Sequence, residues 1–129
     1  MYKNNIDLIG FIGSHPEARS TSNGTALTTF SLATKSSWKN DSGSYENRTE
    51  WHRIVAWGKL AESAAKLAKG AHIEIEGELR HRSYQKEVTV SKKAVSVDIP
   101  VTEIHARVLR RLDRSNNQNE SEVPEEAPE

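Results

Sequence analysis

The chain has 129 residues, with 18 basic and 18 acidic side chains, which suits one domain with a modest hydrophobic core. It contains no cysteine, so disulfides and thiolate metal sites are excluded. No window approaches the roughly 18 apolar residues of a membrane span, and the N-terminal residues lack a secretory signal pattern. We therefore expect a soluble, cytoplasmic protein without a membrane partner.

The net charge of zero conceals a basic body and an acidic tail. Residues 115–129 contain five glutamates and no lysine or arginine, a charge of −5. Residues 1–114 hold all 18 basic and the other 13 acidic side chains, a charge of +5. A basic body suggests an anionic partner, although a solvated surface beside a solubilising tail explains the same numbers. Because the tail is rich in Asn, Glu and Pro, we predict disorder over residues 114–129.

The first half of the chain predicts three strands. IDLIGFIG, residues 6–13, is apolar and β-branched. Proline, serine, asparagine and glycine then mark turns, after which the threonine-rich residues 25–38 predict a second strand. A polar hairpin loop, residues 39–47, leads to the third strand, RTEWHRIVAW, at residues 48–57.

The second half begins with a change of period. Apolar residues at helical spacing predict a short helix over residues 59–69, with Gly70 placed as its C-cap. Strict alternation then predicts a strand over residues 71–82. Residues 84–100 fit either a β-hairpin turning at SKK or a mobile basic loop, and residues 101–113 predict a last strand.

Five strands with one short helix between the third and fourth match an OB-fold, an all-β Greek-key barrel that is partly open. We predict that residues 1–113 form this single domain. Such barrels bind oligonucleotides or oligosaccharides, so the fold alone leaves the ligand open.

The third predicted strand has an aromatic face. Alternation places Trp51, Arg53 and Trp57 on one face, and His52 with Ile54 on the other. Exposed indoles are platforms on which nucleobases stack, and a cation between them can follow the phosphates. An aromatic core strand is the alternative, but burying both rings with an unpaired guanidinium is costly.

Neighbouring strands extend this pattern. Trp38 ends the second strand, and Tyr84 lies beyond Arg80 and Arg82 on the fourth. We therefore expect four aromatic rings and several cations on one side of the barrel, a pattern typical of proteins that bind single-stranded nucleic acid. The sequence shows no nucleophile–base arrangement, no phosphate-binding glycine loop and no metal-ligand cluster, so we predict no catalytic residue, metal or cofactor.

The motifs TEWHR, GKLAE and IEGELR are similar to the central block of the bacterial single-stranded DNA-binding protein family, and the resemblance covers about residues 4–112. It implies an OB-fold that assembles as a homotetramer. It also implies sequence-independent binding of single-stranded DNA in replication, recombination and repair, without enzymatic activity. The expected location is the cytoplasm, in association with the nucleoid.

The resemblance also implies roles for single residues. Four rings match base-stacking positions of the family: Trp38, Trp51, Trp57 and Tyr84. Four cations match basic positions near the DNA path: Arg53, Lys59, Arg80 and Arg82. His52 matches a histidine near the family's subunit interface, in agreement with its predicted inward face.

The C-terminus departs from the family pattern. Family members usually end in an acidic run closed by an aromatic tip, which recruits replication and repair proteins. This chain ends VPEEAPE, with Glu129 in place of the aromatic residue, so such proteins are candidate partners without the usual anchor. Two other functions stay open: an OB-fold protein-interaction subunit, such as a primosome-like accessory factor that binds DNA weakly, and a small enzyme acting on nucleic acid.

Overall fold

The structure, a computed structural model, describes residues 1–113; the predicted acidic tail, residues 114–129, lies outside the described residues. The described elements are β1 (Ile6–Ile12), β2 (Glu17–Ser20), β3 (Ala26–Lys39), β4 (Tyr45–Trp57), α1 (Gly58–Ala65), β5 (His72–Val90) and β6 (Lys93–Arg111). The five predicted strands are β1, β3, β4, β5 and β6, and the helix follows β4, so the OB-fold prediction is confirmed. The prediction missed β2, because its four residues are all exposed and show no apolar alternation.

The barrel closes because β1 pairs with two strands. β1 runs antiparallel to β5, and Phe11 at its end also pairs with Ala33 of β3. On the other side β4 meets β6 in a short parallel contact, where Ile54 pairs with Ile104. The strand order β1-β5-β6-β4-β3 therefore returns to β1.

The core lies inside this barrel and consists mainly of isoleucine and alanine side chains. Its fully buried aliphatic side chains are Ile12, Leu32, Ile54, Ile73 and Ile75. The helix adds Ala61 and Ala64, and the buried hydroxyl of Thr28 donates to the Ala61 carbonyl oxygen at 2.7 Å. The alternation predicted for residues 71–82 is thus confirmed on its inward side.

The helix is shorter than predicted. It ends at Ala65 with Lys66 as C-cap, so the assignment of Gly70 to that position is wrong. Gly70 has a φ of +92° in a turn closed by the Ala71 N–H and the Ala68 carbonyl, and this turn leads into β5. The positive φ of this turn, and not the end of the helix, favours glycine at position 70. Within residues 1–113 no helix is long and apolar enough to cross a membrane.

The segment 84–100 forms a hairpin rather than a loop. β5 and β6 remain paired as far as Val90 and Lys93, so this arm extends beyond the barrel. Ser91 and Lys92 form its two-residue turn, with φ values of +51° and +66°. Positive φ at both central residues is the geometry of a type I′ turn, for which Asn-Gly is preferred.

We expect the double substitution Ser91→Asn and Lys92→Gly to stabilise the arm. Left-handed φ costs a residue with a Cβ about 1–2 kcal/mol, and Asn-Gly relieves most of this strain. Hydrogen exchange of the arm amides should therefore slow by about fivefold or more. The control is Lys86→Gly, which makes the same lysine-to-glycine substitution inside β5. It should speed hydrogen exchange of the arm amides, because glycine weakens a strand interior. Faster exchange in the double variant would contradict the turn assignment.

Candidate functional site

Most of the predicted site residues share one face of the sheet. The face consists of eight side chains on three strands: Trp51, Arg53 and Trp57 of β4, Arg80, Arg82 and Tyr84 of β5, and Glu103 and His105 of β6. We refer to these eight residues as the aromatic–basic face. It forms because β6 lies between β4 and β5, so that side chains of alternate positions on all three strands point the same way.

Trp51 lies at one end of the face, where its ring packs against the backbone of another segment. The indole packs on Gly13, where an added Cβ would lie 2.2 Å from the ring. A groove of about 510 Å³ opens beside the ring and is also lined by His15, Ser31 and Arg53. Trp51 is therefore half-buried, yet it borders an open groove as a stacking platform must.

Trp57 lies at the other end. A second groove, of about 310 Å³, is lined by Trp57, Arg53, Arg82, His105 and Arg19 of β2. Trp57 is 42% exposed, so much of its ring is open to a ligand. Since Arg53 lines both grooves, a guanidinium lies between the two indoles, as the sequence predicted.

Glu103 is the buried centre of the face, with an exposure of 4%. Its Oε2 accepts hydrogen bonds from Nε of Arg53 at 2.9 Å and from Nε and Nη2 of Arg82 at 3.1 and 2.9 Å. Its Oε1 lies 3.2 Å from Nε2 of His105. Burial alone raises the pKa of Glu103, but the hydrogen bonds from Arg82, Arg53 and His105 outweigh it and lower the pKa to about 2. Glu103 is therefore ionised at neutral pH.

The two arginines bound to Glu103 keep nitrogen atoms for another anion. Within residues 1–113, Arg53 uses only Nε in its hydrogen bond, and Arg82 uses Nε and Nη2. Both side chains are close to half exposed. A guanidinium whose orientation is fixed by a carboxylate presents its remaining donors in a defined geometry, which suits phosphate recognition.

The outer cations differ in how the structure places them. Arg80 is exposed and bonds Glu78 of the same strand at 3.1 Å. Tyr84 is exposed on the arm, paired with Ile99. Lys59 is exposed in the first turn of α1 and lines neither groove, so the structure does not bring it onto the aromatic–basic face.

Trp38 is not on this face either. The unbroken β3–β4 register pairs Trp38 with Glu46 and Ala33 with Trp51, so the two tryptophans occupy positions of opposite parity. By the pleat, Trp38 continues the core-facing side of β3 out to the exposed end of the hairpin. The expectation of four rings on one side is therefore wrong for Trp38, because it rested on strand adjacency without the register.

His52 points to the same side of β4 as Ile54, as predicted. Its Nε2 lies 2.9 Å from the hydroxyl of Thr34. Burial lowers the pKa of His52, against the opposing effect of the Glu50 carboxylate, so the neutral ring is favoured. A role at a subunit interface stays a prediction.

A cluster of carboxylates lies outside the aromatic–basic face. Oxygens of Asp7, Glu74 and Glu76, on neighbouring strands, lie within 4.8 Å of one another. Arg110 contacts Glu74 at 3.3 Å and Glu76 at 2.7 Å. Arg110 therefore pairs with two of the three carboxylates of this cluster, which the sequence did not predict.

Four further residues of the site were missed by the sequence prediction: Gly13, Arg19, Glu103 and His105. One signal could have found two of them. In VTEIHA, strand alternation places Glu103 and His105 on one side and the apolar Ile104 on the other. Two polar groups therefore share one side of a buried strand. Gly13 and Arg19 carry no such signal, because their roles depend on contacts with distant strands.

Comparisons with known proteins agree with this architecture. The model of the single-strand binding protein family matches residues 3–121. The chain is 47% identical over 91 residues to single-stranded DNA-binding protein 1 of Chlorobaculum tepidum, covering 70% of this chain and 56% of that protein. It is 42% identical over 102 residues to the single-stranded DNA-binding protein of Xanthomonas campestris, covering 78% and 58%. The chain thus spans somewhat more than half the length of these curated relatives.

Two solved structures share the fold. The Plasmodium falciparum SSB in complex with ssDNA aligns with a TM-score of 0.72 and 29% identity, covering 88% of this chain and 97% of that chain. A deletion mutant of the single-stranded DNA binding protein from Thermus aquaticus aligns with a TM-score of 0.69 and 27% identity, covering 86% and 51%.

Proposed function

Since this chain belongs to the single-strand binding protein family, we propose that it binds single-stranded DNA without sequence preference. The observation that carries the proposal is the aromatic–basic face, where Arg53 lies between Trp51 and Trp57 on an open surface. The likeness to a solved protein that holds ssDNA supports it.

Base stacking supplies the discrimination against duplex. Unpaired bases stack on the indoles of Trp51 and Trp57, each for roughly 1–3 kcal/mol, and any base serves because all have a π-face. In a duplex these faces are already stacked on neighbouring base pairs. Tyr84 continues the path along the arm, with a weaker stack from its smaller ring.

Phosphate contacts supply the rest of the affinity. Arg53 and Arg82, oriented by Glu103, bind phosphates between the stacked bases, and Arg80 binds at the edge of the face. DNA that continues beyond the face contacts Lys59 on α1 and Trp38 at the end of the β3–β4 hairpin. The mechanism is binding alone, with no covalent chemistry.

In the cell we propose that the protein protects single-stranded DNA during replication, recombination and repair, in association with the nucleoid. It acts as a homotetramer with His52 near a subunit interface. Replication and repair proteins are proposed partners of the acidic tail.

The proposal is tested by titrating tryptophan fluorescence with an oligo-dT strand and with a duplex, each at two salt concentrations. Quenching by dT alone is expected, and the salt slope, about −0.7 per neutralised phosphate for a single strand, counts the cations engaged. Trp51→Ala should weaken binding of labelled dT by about tenfold, while Tyr2→Ala, a change at an exposed N-terminal ring, should leave it unchanged.

Equal affinity for dT and duplex would contradict the proposal. Weak binding by a protein that sediments as a dimer would favour the accessory-subunit alternative. Metal-dependent loss of the dT strand would favour the enzyme.

A further inference from the structure

The polar edge of the Trp57 indole is held by His105. Nε1 of Trp57 donates to Nδ1 of His105 at 3.2 Å, and the two ring centroids are 6.2 Å apart with an angle of 29° between their planes. An indole at the exposed end of a strand therefore has a fixed partner on a different strand.

This contact determines the tautomer of His105. The indole N–H is only a donor, so Nδ1 of His105 has to accept and carries no proton. The proton of the neutral ring is then on Nε2, which lies 3.2 Å from Oε1 of Glu103. The carboxylate accepts this hydrogen bond and so selects the tautomer that Trp57 requires.

We propose that Glu103 and His105 are positioning residues, which hold the Trp57 indole in one orientation for base stacking. The inference rests on the proposed function, in which Trp57 stacks on a base. Glu103 also fixes Arg53 and Arg82 through its other oxygen. One buried carboxylate therefore aligns both the phosphate-binding groups and the stacking ring.

Holding Trp57 in place matters because the ring is well exposed at the end of a strand. It is 42% exposed, it ends β4, and the next residue, Gly58, has a φ of +64°, so the backbone turns away immediately after it. A ring that samples several rotamers has to be ordered when a base binds, and this ordering reduces affinity by about two- to tenfold for one side chain. His105 removes that cost before the ligand arrives.

The central variant is His105→Phe, which keeps a ring beside Trp57 but loses both hydrogen bonds. We expect it to weaken binding of fluorescein-labelled dT by about three- to tenfold. His105→Asn carries an amide oxygen near the position of Nδ1 and should recover part of the loss. In a Trp57→Phe background, which has no indole N–H, His105→Phe should change affinity by less than about twofold.

Mobility of the ring gives a readout that does not depend on DNA. In a Trp38→Phe/Trp51→Phe protein, Trp57 is the sole tryptophan, because the chain has three. His105→Phe should add a fast component to its fluorescence anisotropy decay, and His105→Asn should add less. Urea unfolding of each variant separates this effect from a loss of fold.

Three outcomes overturn the inference. The first is unchanged dT affinity in His105→Phe, and the second is an equal loss in the Trp57→Phe background, which would mean that His105 does not act through Trp57. The third is unchanged affinity in Trp57→Ala, which would remove Trp57 from the proposed site as well. Loss of affinity in Trp57→Ala but not in His105→Phe would leave the proposed function intact and reject only the positioning role.

Discussion

Replacing Gly10 with alanine is expected to lower the free energy of unfolding by about 3 kcal/mol or more. An added Cβ would lie 2.1 Å from the carbonyl oxygen of Ala33 and 3.0 Å from its carbonyl carbon. The obstacle is backbone, so no side-chain rotation relieves it. Because Gly10 lies beside the point where β1 meets β3, the two strands have to separate where the barrel closes.

Gly24→Ala is the matched control. Gly24 has a φ of +86° with open space around an added Cβ, so alanine there should cost only the left-handed strain of about 1–2 kcal/mol. Urea unfolding followed by far-UV circular dichroism measures both. If Gly10→Ala cost no more than Gly24→Ala, the close approach of β1 and β3 would be wrong.

The second large effect is a loss of folding stability, which we expect for the substitution Glu103→Gln. The pKa of this carboxyl falls from its ordinary 4.5 to about 2 on folding, which corresponds to a stabilisation on the order of 3 kcal/mol at neutral pH. A lowered folded pKa contributes stability above the unfolded pKa and loses it as the pH falls through the folded pKa. The wild type should therefore exceed Glu103→Gln in stability at pH 7, and the difference should disappear between about pH 4.5 and 2.

Urea unfolding at pH 7, 4 and 2.5 measures this difference directly. The other carboxylates titrate in both proteins, so their contribution cancels in the difference between the two free energies of unfolding. Glu87→Gln, an exposed position on the arm, should change stability by less than about 0.5 kcal/mol at each pH. A Glu103→Gln difference that did not depend on pH would mean that the carboxylate charge is not what Arg53 and Arg82 recognise.

Local patterns were sufficient for most of the fold. The strict alternation of residues 71–82 and the change to helical spacing at Lys59 are signals within one segment, and both elements are present in the structure. Four-residue β2 is exposed throughout, and its sequence shows no contrast between apolar and polar positions. The arm does alternate, as in Val95, Ser96, Val97 and Asp98, but almost all of it is exposed, so no buried side supports the pattern. Such elements exist because of pairing with a neighbouring strand, which no single segment records.

The site could be predicted only in part for the same reason. The face of β4 with Trp51, Arg53 and Trp57 follows from alternation alone. Trp38 was misplaced because its side depends on the register between two strands, and Glu103 was missed because its partners lie 50 and 21 positions away along the chain. Which charges meet is decided by the topology of three strands.

The parallel contact between β4 and β6 is short, with register only at Ile54–Ile104 and Val55–His105. The side-chain bonds of Arg53 to Glu103 and of Trp57 to His105 cross this same junction. The proposed recognition groups therefore also hold together one of the two shortest strand contacts of the barrel, the other being that of β1 with β3. A ligand bound over the β4–β6 contact would stabilise the barrel. A substitution that changes ligand affinity there would therefore also shift the melting temperature.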